Sequence, residues 1–173
     1  MSDSSPTDRG TEGVNMCEWD PRCSGSDDLV GHALALIAAG SWAVTGVYGD
    51  DSAPAIAYTT GLTELGRPEL VITGVAPEHA GPVLNEAAAL IVARPDFGAG
   101  STLADLSSAP GSDFTAIDVI DMSPLRVTAL LFGRGFQAVQ LVWSDMSHRL
   151  PWDRGYALAP DDQPLLGIAM NAA

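Results

Sequence analysis

The run from Trp143 to Tyr156, WSDMSHRLPWDRGY, concentrates side chains that bind or react, among them two of the chain's four tryptophans. Tryptophan and tyrosine offer large contact areas with few rotors. Arginine, here Arg149 and Arg154, grips planar anions with two parallel bonds, and this mixture is the one met in binding hot spots. Asp145, His148 and Asp153 add groups able to move protons. Two readings stay open. In one, the segment lines a pocket, with Asp145 as a candidate catalyst and Trp143, His148, Trp152 and Asp153 as ligand contacts. In the other, it is a loop after a strand that packs its tryptophans back onto a sheet while the aspartates cap turns.

A second cluster lies in Ala57 to Leu62, where Tyr58, Thr59 and Thr60 interrupt an apolar strand. With a period of two, Tyr58 and Thr60 share one face and Thr59 and Gly61 the other. Gly61 permits a ligand or a neighbouring backbone to come close. Glu69 follows Pro68 at a strand start, an unusual place for a carboxylate if it is buried. If Tyr58, Glu69 and Asp145 converge at one sheet end, they form an acid/base pocket. Thr60 then becomes a ligand contact, as does Asn85, which is mildly unfavourable inside a helix and needs a backbone or ligand partner.

Other chemistries are excluded or unsupported. The chain has no lysine, which removes Schiff-base, phosphate-loop and lysine-base mechanisms. There is no GxSxG and no catalytic cysteine context. His32, His79 and His148 form no HxH or HExxH, so no metal site is expected. FGAGS and FGRGF lack the spacing of nucleotide-binding loops and read as turns. No cofactor is expected; a flavin-binding barrel would lack basic groups for the phosphate. Net charge is −14, from 22 acidic residues against 8 arginines. With no basic stripe, nucleic acid is not an expected partner. Cys17 and Cys23, separated by five residues, read as free thiols, with a local disulfide or a partial metal site as alternatives.

The elements that must position these residues fit one α+β domain. The 173 residues, 46% of them hydrophobic, suffice for a single core. Mean hydropathy is +0.15. No apolar run approaches the roughly 18–20 residues of a membrane span. The polar, acidic N-terminus lacks the features of a secretory signal, which makes cytoplasmic the expected location. Residues 1–25 read as a disordered acidic tail, 26–168 as the domain and 169–173 as a flexible end. Ser26 is the expected cap of a first helix, with Leu29, Val30, Ala33, Leu34 and Ile37 as its apolar stripe and Gly40 as its stop. Strands are expected at Trp42–Tyr48, Ile56–Leu62 and Leu70–Val75, joined by short turns that imply an antiparallel meander. A helix follows over 77–93, where Pro82 is tolerable only in the first turn. A long loop over 95–111 comes next, then a strand Phe114–Ile120, a short helix from Pro124 to Phe132 and a strand Phe136–Trp143. The expected order is α-βββ-α-β-α-β, a largely antiparallel sheet of about five strands with helices packed on it. Val139, Leu141 and Trp143 should face the core together.

The motifs YTTGL (58–62), PELV (68–71), Asn85, QLVWSD (140–145), PWDRGY (151–156) and QPLLG (163–167), taken as a set, resemble the family catalogued as domain of unknown function 4262. The resemblance covers roughly residues 27–167 and implies a small bacterial protein of a kind common in actinobacteria. It implies no catalytic roles. In the family's pattern a Met-Cys pair stands near the start, followed closely by a second cysteine. Met16-Cys17 sits here behind fifteen residues, which implies that Met16 is the start and 1–15 an upstream extension. The more distant Cys23 weakens a shared metal or redox role.

The residues favour a metal- and cofactor-free domain that binds a small organic ligand, with proton transfer, cyclisation or hydrolysis as its possible chemistry. The alternative is a non-enzymatic protein-interaction or immunity-type module, steered by its acidity toward a basic partner. Whether the protein is an enzyme, and its oligomeric state, stay open.

Overall fold

Asp28 turns its carboxylate onto the Gly31 N–H at 2.7 Å and so opens helix α1, Leu29–Ala38. The cap of α1 is therefore Asp28. The computed structural model describes residues 28–169. The expectations for the tail, Ser26, the Met16 start, Cys17, Cys23 and the last four residues lie outside the described residues. In α1, Ala33 is buried and Leu29, Val30 and Leu36 pack beside it, whereas Leu34 is 51% exposed. The helix thus meets the sheet on a face rotated from the expected stripe.

Strands β1 (Ala43–Val47), β2 (Ile56–Thr60) and β3 (Glu69–Thr73) form the expected antiparallel meander. A 3-10 turn, Leu62–Leu65, ends β2 early and turns the chain back toward β3. Helix α2 spans Pro77–Val92 and opens on Pro77, whose missing N–H costs nothing there. Pro82 lies beyond the first turn, contrary to expectation. Its exposed ring forfeits only the bond its N–H would have made to the Glu78 carbonyl.

The loop over 95–111 hides a two-residue strand, β4 (Thr102–Leu103), which is too short for any periodicity to reveal. Then come β5 (Phe114–Asp118), α3 (Arg126–Phe132) and β6 (Ala138–Trp143). The six strands make one mixed sheet in the order β1-β2-β3-β6-β5-β4. Two antiparallel meanders join at a central parallel pair, β3 beside β6, with Glu69 opposite Ala138 and Val71 opposite Gln140. The expected largely antiparallel sheet holds except at that seam.

Alternation along the strands serves two faces. Ala57, Leu70, Ile72, Val139 and Leu141 pack under Val83, Leu84, Ala87 and Ile91 of α2, with Trp143 partly buried at the border as its alternation predicts. Enclosing Leu84 and Ile91 contributes about 1.5–3 kcal/mol each. On the other face Tyr58, Val71 and Ala138 lie under α1 and α3. Beyond α3, Leu150, Trp152 and Ala169 of the C-terminal segment pack with Ile117 and Val142. That segment is a strap over the end of the sheet.

Candidate functional site

The strap is tied down by three buried polar side chains. Gln140, on β6, donates through Nε2 to Thr73 Oγ1 at 2.9 Å and to the Pro164 carbonyl at 2.8 Å, and accepts from the Leu166 N–H at 2.7 Å. Gln163 treats the end of β6 as a neighbouring strand would, accepting from Trp143 N at 2.8 Å and donating to Trp143 O at 2.9 Å. Asp145 knots the loop between them. Its carboxylate accepts from the N–H groups of Ser147, Arg149 and Ala157 at 2.8, 3.0 and 3.0 Å. The Arg149 bond foremost, then those of Ser147 and Ala157, with the Arg149 charge, holds this carboxyl below the usual range against the opposing pull of desolvation.

The expected acid/base residues do not meet. Because β3 and β6 are parallel, Glu69 stands at their start and Asp145 lies past their finish, at opposite ends of the sheet. Glu69 is fully buried and its oxygens are occupied. Oε1 accepts from Gly61 N, Thr63 N and Thr63 Oγ1 at 2.9, 3.0 and 2.8 Å, and Oε2 from Thr59 Oγ1 at 2.7 Å. Tyr58 is sealed beneath α3, where its hydroxyl accepts from Val127 N at 3.2 Å and burial pushes the phenol up. Thr60 is bound to Thr128, hydroxyl to hydroxyl, at 2.7 Å in the core. Asn85 accepts from Trp42 Nε1 at 3.1 Å on an exposed stretch of α2. Gly61, at φ +127°, makes room for backbone and not for a ligand: a Cβ there would lie 3.0 Å from the Ser41 carbonyl and 3.1 Å from Trp42 Cα. Among the described residues no buried side-chain polar atom lacks a partner.

The segment from Trp143 to Tyr156 divides. Trp143 donates from Nε1 to the Thr73 carbonyl at 3.2 Å, and Trp152 packs on Val142 and Ile117. Asp153 caps a turn through Oδ2, which accepts from Leu150 N at 2.8 Å. His148, at φ +58°, is exposed and lies 3.2 Å from Asp113.

Behind these residues the strap leaves a hollow of about 470 Å³ walled by Pro151, Asp153, Tyr156, Leu158, Pro160 and Gln163. Tyr156 is half-buried, and desolvation pushes its phenol up. Its hydroxyl accepts from Gln163 Nε2 at 2.8 Å, which leaves its own proton to give away. Asp153 Oδ1 likewise has no partner among the described residues. Asp153 was anticipated as a ligand contact. Tyr156 and Gln163 were visible in their motifs, yet only the tertiary contact between Gln163 and Trp143 brings them together.

A family profile described as domain of unknown function (DUF4262) matches residues 36–157. The chain belongs to the DUF4262 family. The matched span contains the Glu69 clamp, the Asp145 knot and half of the wall of the hollow, and ends before Leu158. No curated protein and no solved structure matches the chain. Among the described residues no group of histidine, cysteine and carboxylate side chains is placed to hold a metal ion, and no helix is long and apolar enough to cross a membrane.

Proposed function

We propose that this DUF4262 domain binds a small, flat organic molecule in the hollow formed by the strap. The observation that carries the reading is that one hollow of about 470 Å³ is lined both by a phenol with a proton to donate and by a carboxylate oxygen with room to accept. A cyclic amide or a similar ring bearing an acceptor and an N–H donor matches both, and the flanking prolines supply flat apolar contact. Glu69 and Tyr58 are committed to the fold, so any proton transfer in this hollow falls to Asp153 and Tyr156.

Fragment screening by NMR on the whole chain tests the reading. Ring amides should shift the signals of Gly155, Leu158 and Gln163, and Tyr156→Phe together with Asp153→Asn should abolish the effect without unfolding the protein. Saturable fragment binding that ignores both substitutions would sink it. The second reading, a protein-interaction module, draws on Met146, wholly exposed on the strap's loop, and on Ile120 and Ile168 at 67% and 70% exposure. A stoichiometric protein partner lost on Met146→Asp, with fragment binding intact, would favour it.

A further inference from the structure

We infer that the opposite end of the β3–β6 pair is a second binding site, built for a small organic anion with a flat apolar body. Where the two strands begin, the surface encloses a hollow of about 760 Å³, within the roughly 300–1,000 Å³ of small-molecule pockets. Arg67 and Arg134 line it, with Asp118 as the carboxylate beside them, and Phe97, Phe136 and Met122 supply its apolar wall. The chain has 22 acidic residues and 8 arginines, so a hollow with more guanidinium than carboxylate runs against the charge of the whole.

The two arginines are held differently. Arg67 is anchored to the end of α2. Nε donates to the Ile91 carbonyl at 3.0 Å, Nη2 to Val92 at 3.0 Å and Nη1 to Gly66 at 2.9 Å. A guanidinium carries five N–H groups, so this one is a preset positive charge with donors still to offer. Arg134 stands between Gly133 and Gly135 and is exposed, with no hydrogen bond or ion pair among the described residues. It is free to close on a ligand. Phe97 is only 4% exposed, with the Arg94 guanidinium 5.3 Å from its ring centroid, and belongs to the core under α2, so the flat apolar contact falls to the partly buried Phe136 and Met122. A planar carboxylate matches the bidentate geometry of arginine, and an attached ring matches Phe136 and Met122. A bare dianion has nothing to set against the apolar wall and meets the repulsion of a −14 chain.

The test titrates the whole chain with benzoate, with benzamide as its uncharged counterpart and with inorganic phosphate, followed by amide NMR. Benzoate should saturably shift Gly66, Gly98 and Gly135 and leave Gly155 unmoved, so the outcome is independent of the strap hollow. Benzamide and phosphate should each bind at least about tenfold more weakly. Arg134→Gln, at an exposed and unbonded position, should weaken benzoate at least about tenfold while the melting temperature stays unchanged. Equal binding of benzamide, equal binding of phosphate, an indifferent Arg134→Gln variant or the absence of any saturable shift would each overturn the proposal.

Discussion

Where β3 and β6 begin, one buried carboxylate, Glu69, gathers donors from residues 59 to 63 of its own hairpin. Where the two strands end, Gln140 and Gln163 hold a strap whose partners lie 20 to 91 residues away along the chain. The first closure is local, charged and dry, and it can form as soon as the hairpin does. The second joins distant segments through neutral amides and pays the larger loop-closure entropy. The strap is therefore the part expected to open first under native conditions, and it is the part whose own residues wall the phenol-lined hollow.

Breaking the first closure should have the largest effect. Glu69→Ala leaves the Thr59, Gly61 and Thr63 donors buried without acceptors and should cost on the order of 4 kcal/mol in urea unfolding. Glu69→Gln keeps one acceptor oxygen for Gly61 and Thr63 and should cost roughly half as much. A loss below about 1 kcal/mol for the alanine variant would mean that water replaces the clamp, and the contrast between the two ends would dissolve.

At the other end Trp143→Ala should cost about 3 kcal/mol, at the low edge of the range for a buried tryptophan, because the ring is only partly buried and its one polar bond goes to Thr73 O. Gln163→Leu removes the bonds to both polar groups of Trp143 and to Tyr156, and should cost about 2 kcal/mol. Its sharper signature is local. Hydrogen exchange should speed up at Leu166 and Ala157 while Leu70 to Ile72 stay protected. Uniform acceleration across the sheet would show that strap and sheet open as one unit.

Most of the strands and helices were legible because their apolar residues alternate or recur at helical spacing, and Trp143 shares its face with Val139 and Leu141 as that pattern requires. The central parallel pair was not, since turn chemistry speaks only for strands adjacent in sequence, and β3 and β6 are separated by two helices and two other strands. Glu69 was recognisable as an unusual carboxylate, but a period-two pattern cannot say that Thr59, Gly61 and Thr63 surround it. Gln140 and Gln163 look like ordinary strand and loop residues until their register places one on Pro164 and Leu166 and the other on Trp143. The proposed ligand contacts were only half visible for the same reason. Asp153 stands in the conspicuous cluster, while the partner of Tyr156 comes from beyond it.

The smallest effect sharpens the contrast by pH. Asp145 of the strap and Glu86 of α2 both have lowered pKa values, and Glu86, gripped by the hydroxyl and N–H groups of Ser108 and Ser107, falls from 4.5 to about 2. A carboxyl whose folded value lies below its unfolded one stabilises the fold above the unfolded value. That contribution disappears as pH falls toward the folded value. Glu86 meets solvent, so its share of the loss, between about pH 4.5 and pH 2, should be modest and weaker at high salt. Thermal melts over that window should fall less steeply for Glu86→Gln and for Asp145→Asn than for the parent chain. Hydrogen exchange at pH 3 should locate the Asp145 share at Ser147, Arg149 and Ala157, whose amides it holds. If those three amides kept their protection at pH 3, Asp145 would not be what holds the loop, and the acid-labile share of stability would lie with Glu86.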